Sequence, residues 1–332
     1  MQIDFLTTLI NVAIMVAIAV PGYILRKKNM LPETAVKTLV IVLMYACQPF
    51  LSITSFLEKD YERALLLNMG IAFVVAIVMH VAVYYVSKAV ISLIRAKVGA
   101  TDEEKEKLIC TKKTCNVCAF MGNIGFMGIP VMKALFPQYP EMLMYAAVVV
   151  VAFNIMSWTF GVYTITGDKK DMSLRRAFLN PAVATLVVAL PLFFFKRYIP
   201  TSVISPLSRG MGYLANMTLP ISMLVVGIRL ADMKLIEVVN DGKVYLVCAL
   251  KLIVSPLMTL CAMLLVRLVI PTLSVVVIIS VYITMAMPCA AMSLNFAELF
   301  GGDSKTALKS VLLSTILCVL TIPLLMLLCG VI

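Results

Sequence analysis

The chain has 332 residues, 62% of them hydrophobic and only 14% charged, with a formal charge of +11 and a mean hydropathy of +1.03. A water-soluble core cannot absorb that share of apolar surface, and the lack of short alternating segments argues against a spanning β-barrel. What remains is an all-α polytopic membrane protein: helices satisfy their own backbone polar groups in lipid, and a hydrocarbon core about 30 Å thick needs roughly 20 apolar residues per crossing.

Apolar runs bounded by charges or by Gly and Pro predict ten spans, over residues 5–25, 31–56, 63–88, 113–136, 140–165, 180–197, 203–231, 243–269, 273–299 and 305–331. The first run lacks a basic start and is followed by Arg26, Lys27 and Lys28, which marks a retained span entering from outside rather than a cleaved signal. The connection over residues 89–112 contains Thr101-Asp-Glu-Glu104, with capping-box spacing for a short helix on the membrane face. Alternating the loops puts twenty Lys and Arg on one side, among them Arg26, Lys97, Lys113, Lys169, Lys170, Arg229 and Lys234, and seven on the other. That bias places the first set in the cytoplasm of a cell membrane and both termini, Met1 and Ile332, outside. The net charge is then a solvated face attracted to anionic lipid, and no nucleic-acid partner is expected.

The nine cysteines are an odd number scattered mostly through apolar runs and do not form a disulfide framework. Cys115-Asn-Val-Cys118 has metal or redox spacing, but there is no second pair and the single histidine, His80, is far off in sequence. Packed thiols are the expectation, with no metal and no cofactor.

Splitting the chain near residue 172 gives a first five-helix repeat over 1–166, a short basic linker over 167–179 and a second repeat over 180–332. Five spans per half force the second repeat to be inverted, a recurring transporter plan. Gln48-Pro49 in span two and Leu219-Pro220 in span seven echo one another. The fourth span of each half carries the strongest signal. Span four reads Gly122-Asn123-Ile-Gly125-Phe-Met-Gly128-Ile-Pro130, and span nine has Met287-Pro288 followed by Ser293, Asn295 and Glu298. Glycine permits unusual backbone angles and proline removes a donor, so an unwound point is expected near the middle of span four. Paired interruptions at matching places point to a substrate site, where half-helix N-termini can hold an anion. Three glycines spaced by three also suit close helix packing, but Asn123 beside the break is costly without a partner. The string is not a nucleotide fingerprint, since no strand precedes it.

At these residues the sequence resembles the auxin efflux carrier family, which includes plant auxin carriers and bacterial permeases for malate-like carboxylates. Asn123 through Pro130 and Pro288 through Phe300, followed by Gly301-Gly302-Asp303, are similar to its fourth- and ninth-span motifs. Asn180-Pro181, Leu219-Pro220 with Gly227, and Ser314-Thr315 with Thr321 and Pro323 are similar to further signatures. The resemblance implies two inverted five-helix repeats with helices four and nine crossing where they unwind. It puts the substrate at that crossover, the substrate-contacting asparagine at Asn123 and the crossover proline at Pro130. Plant members tend to have a second crossover proline where this chain has Ser293, and the large cytoplasmic loop of many of them is absent.

Lys251 lies within span eight and His80 within span three, equivalent helices of the two repeats. An ammonium at that depth costs about 2.5–3.5 kcal/mol, so it should face a cavity or a partner. Lys251 is therefore either an attraction for the substrate anion or a packing element, and His80 a packing residue or a proton relay. The candidate substrate site comprises Asn123, Gly125, Gly128, Pro130, Pro288, Ser293, Asn295 and Lys251. The leading function is a secondary carrier moving a small, carboxylate-like organic anion by alternating access, in contact with the lipid bilayer; the oligomeric state, a homodimer included, is left open. A channel or a solute-sensing receptor on the same scaffold is the alternative. An enzyme is least favoured, because no HExxH, intramembrane carboxylate pair or Ser-His arrangement is present.

Overall fold

The computed structural model describes residues 5–330 except 97, 100, 233–235, 237 and 239, and at 182 the backbone alone. Met1, Lys97, Lys234 and Ile332, used above for orientation, lie outside the described residues. In chain order the helices are α1 (Phe5–Lys27), α2 (Ala35–Leu57), α3 (Arg63–Ser92), α4 (Asp102–Phe120), α5 (Ile124–Leu135), α6 (Glu141–Thr166), α7 (Lys169–Tyr198), α8 (Thr201–Ala231), α9 (Gly242–Val269), α10 (Val275–Met285), α11 (Ala291–Phe300) and α12 (Ser304–Cys329). Eight of these are long and apolar enough to cross a bilayer: α1, α2, α3, α6, α7, α8, α9 and α12. The expected fourth and ninth spans are each in two pieces, α4 with α5 and α10 with α11.

The capping box forms as its spacing demands, Thr101 Oγ1 accepting from the Glu104 N–H and Glu104 from the Thr101 N–H. It does not start a separate surface helix. No Gly or Pro follows before residue 122, so the helix runs on into the membrane-facing core and ends only at Phe120.

Two groups of helices result. In the first, α8 packs on α1 and α2, and α7 on α2. The α1–α8 contact is backbone on backbone: a Cβ at Gly227 would strike the Ala19 carbonyl oxygen, and one at Gly22 the Leu224 carbonyl oxygen. Small residues buy such close approach where lipid supplies no hydrophobic drive between helices. In the second group α3 packs on α4 and α6, α10 on α6 and α9, and α12 on α9 and α11. The groups adjoin where α1 rests on α12 and α2 on α6.

The breaks fall at residues 121–123 and 286–290. The first lies beside Asn123, near the middle of span four as expected, but seven or more residues ahead of Pro130, where the resemblance puts the crossover proline. Pro130 instead sits in the opening turn of the α-helical part of α5, where a missing N–H costs nothing, while Gly125 and Gly128 belong to a wide π turn, Ile124–Gly128. In the second break Pro288 is central, and Ser293 lies inside α11.

Candidate functional site

Unwinding strands peptide groups that lipid cannot satisfy. Here each break satisfies the other. The Asn123 N–H donates to the Pro288 carbonyl at 2.8 Å, and the Ala290 N–H donates to the Met121 carbonyl at 2.9 Å, closing an antiparallel bridge between Gly122 and Cys289. The Asn123 carbonyl in turn accepts from the Gly128 N–H at 3.1 Å, so the π turn hangs from the crossover residue itself.

One side of this crossover is packed solid. Lys251 is fully buried, and its Nζ donates to the carbonyl of Met285, the last residue of α10, at 3.1 Å. It fits because Gly122 has no side chain, a Cβ there lying 2.8 Å from Nζ. The Cys289 N–H donates to Ser314 Oγ at 3.0 Å. Ser293 is buried too, its hydroxyl donating to the Ala290 carbonyl at 2.6 Å and accepting from Cys118 Sγ at 3.5 Å.

The other side opens on a cavity of about 200 Å³ between the two helix groups. Gln48, Ser222 and Arg229 reach it from α2 and α8, and Asn123, Asn154, Trp158 and Asn295 from the second group. Three of the four π turns among the described residues supply lining: Leu43 from Leu43–Cys47, Phe126 from Ile124–Gly128 and Trp158 from Ser157–Gly161. The fourth, Leu250–Val254, carries Lys251. An extra residue per turn re-aims side chains, which is why such bulges gather at functional places.

The cavity wall holds polar atoms with nothing to bond. Asn154 Oδ1, Trp158 Nε1 and Arg229 Nε are buried without a hydrogen-bond partner. The N-terminus of α11 also adjoins it: Ala290, Ala291 and Met292 line the cavity, and Ala290 at the N-cap has no side chain with which to cap the first amides of the helix.

Of the residues expected from the sequence, the structure brings Asn123, Gly125 and Asn295 to this cavity. Gly128, Pro288, Ser293 and Lys251 are not among the residues that line it, and Pro130 lines a separate small pocket with Leu51, Lys133 and Asn216. His80 is buried in α3, its Nδ1 at 2.7 Å from the Ala76 carbonyl; that nitrogen therefore carries the proton, and Nε2 is left without a partner. Sequence reasoning missed Arg229, Asn154 and Trp158. Arg229, at the end of span seven, counts in the sequence only toward the cytoplasmic charge bias, whereas on α8 it lines the cavity.

At one edge the assembly is pinned by Asp303, the N-cap of α12. Its carboxylate accepts from Thr306 Oγ1 and Thr111 Oγ1, each at 2.7 Å, and its own N–H donates to Thr114 Oγ1 at 2.9 Å. Burial pushes its carboxyl up, but the hydrogen bonds from Thr306 and Thr111 and the charge of Lys243 outweigh this and hold it below its ordinary value. α4 is thereby tied to the α11–α12 turn.

Membrane-length helices in number, with two broken helices pairing beside an internal cavity, define a multi-pass membrane protein of the transporter class. The sequence profile of the family described as membrane transport protein matches residues 7–173 and 168–326, and the chain belongs to that family, the auxin efflux carrier family its motifs resemble. No curated protein matches the chain.

Proposed function

We propose that this membrane transporter is a secondary carrier that binds a small organic anion at the crossover of its two broken helices and passes it across a cell membrane by alternating access. The observation that carries this reading is the uncapped N-terminus of α11 adjoining a cavity that also holds the free side chain of Asn123. Exposed N–H groups and the positive end of a helix favour an anion. None of the described hydrogen bonds uses the Asn123 side-chain amide, which can both donate to a carboxylate and accept from a backbone N–H.

The cavity supports alternating access because its two walls belong to different helix groups. Sliding one group against the other would change which end is open. The separate small pocket lined by Leu51, Pro130, Lys133 and Asn216 is the candidate for the second opening in such a cycle. With ten spans in two inverted repeats and the Lys and Arg bias described above, the present cavity faces the cytoplasm and both termini lie outside.

Counterflow of labelled mono- and dicarboxylates in proteoliposomes tests the reading, with and without imposed proton or sodium gradients. A carrier exchanges labelled for unlabelled anion against no net gradient. Uptake without exchange would favour a channel, and saturable binding without flux a solute sensor.

A further inference from the structure

The cavity contains one ionisable side chain among its described residues, Arg229. It stands on α8 two residues beyond Gly227, where that helix lies against the α1 backbone, so its Cα is held firmly. Its Nη2 donates to Asn295 Oδ1 at 3.4 Å, a long bond to a neutral group, and its Nε has no partner. A guanidinium offers five donors in a rigid fork. The carboxylates whose charge it feels are Glu298 and Asp232. Glu298 is exposed, Asp232 is engaged by Arg26 Nε at 2.7 Å, and neither is within ion-pair reach of Arg229.

A half-buried guanidinium with a buried, unpartnered Nε and one long bond to a neutral group is poised for an anion that the protein does not itself supply. Asn154 and Trp158 add an unused acceptor and an unused donor on the same wall. The rest of the wall carries no further charge: it is mostly apolar, including Leu43, Met44, Phe126, Val150 and Phe153, with the neutral polar side chains of Gln48, Asn123, Ser222 and Asn295 among them.

We propose that Arg229 is the anion-binding residue of this cavity and that it fixes the ligand as a singly charged carboxylate with an apolar body. The proposal rests on the crossover reading above and deepens it. One cation compensates one charge; a second carboxylate finds no second cation on the wall, only apolar and neutral groups, and is disfavoured. A neutral amide of the same shape leaves the guanidinium unpaired and is rejected for the opposite reason.

The chain has a single tryptophan, Trp158, and it lines the cavity, so its fluorescence reports occupancy directly. Full-length protein in detergent is titrated with hexanoate, hexanamide and adipate, which share a six-carbon skeleton and carry one, no and two charges. Hexanoate is expected to bind at least about tenfold more tightly than either of the others, as a hydrogen-bonded ion pair requires. Arg229→Met, checked for a wild-type elution profile, should bring hexanoate and hexanamide within about twofold of one another. Arg229→Lys should keep part of the preference, because it retains the charge but not the fork. An undiminished acid-over-amide preference in Arg229→Met would overturn the proposal, as would adipate binding equal to hexanoate or the absence of any saturable change in wild type. The carrier reading fails separately: Arg229-dependent hexanoate binding without counterflow of any labelled acid leaves the site standing and removes the carrier.

Discussion

The two sides of the crossover hold two basic residues in opposite condition. Lys251 is buried more completely than Arg229, yet its ammonium has a carbonyl acceptor at 3.1 Å and a glycine that makes room for it. Arg229 has a cavity before it, one long bond and an idle Nε. Depth in the membrane alone therefore says little about function. What separates a structural charge from one ready for a ligand is whether the protein has already satisfied it.

The comparison breaks most clearly if the two residues exchange behaviour. Lys251→Met strands the Met285 carbonyl at the end of α10, and a lost partner of this kind costs about 1–3 kcal/mol. A lowered melting temperature is expected, with the hexanoate titration of Trp158 unchanged. Wild-type stability combined with weakened binding would move Lys251 into the site.

The glycines on either side sharpen the contrast. A Cβ at Gly122 meets Lys251 Nζ, whereas one at Gly125 meets the Gln48 side chain beside the cavity. Gly122→Ala should lower stability by about 1–3 kcal/mol through overpacking, read by thermal unfolding. Gly125→Ala should lower uptake with a smaller change in melting temperature, because the Gln48 amide can shift into the cavity. Equal losses of stability in both variants would erase the distinction between the sides.

The smallest effect belongs to Asp303, away from both. Asp303→Ala removes the α12 cap and should cost about 1 kcal/mol of stability. Since the folded carboxyl is held below its ordinary value, this contribution is present at pH values above the unfolded value of about 3.9 and is lost as pH falls through the lower, folded value. A wild-type minus Asp303→Ala difference that grew on acidification would contradict the assignment.

Much of the fold was legible because span length and apolar runs are local properties. The eight long helices fall where the runs predict them, and both interruptions fall in the segments singled out. The middle of span four was legible as the place of the first break, but not the pairing that forms it, nor that Pro130 stands clear of the crossover. Gly125, Gly128 and Pro130 announce a disturbed helix, but the chain unwinds just before them, where Met121 and Asn123 find partners in a segment more than 160 residues away. Asn123 and Asn295 were readable as polar groups within apolar spans. Arg229 was not, since a cation near the end of an apolar run looks the same whether it faces water or an internal cavity. Trp158 could have been noticed as the lone tryptophan, but nothing in its neighbourhood announces the π turn that aims it.

The central claim is that the crossover cavity is where the transported anion binds. Its most direct test is counterflow by Asn123→Ala, reconstituted at matched amounts beside the wild type. The backbone bonds of Asn123 to Pro288 and Gly128 do not involve its side chain, so the variant should fold and insert normally. It is expected to lose most of its carboxylate exchange. Near-normal exchange by that variant would mean that the paired breaks serve packing alone and that the anion takes another path.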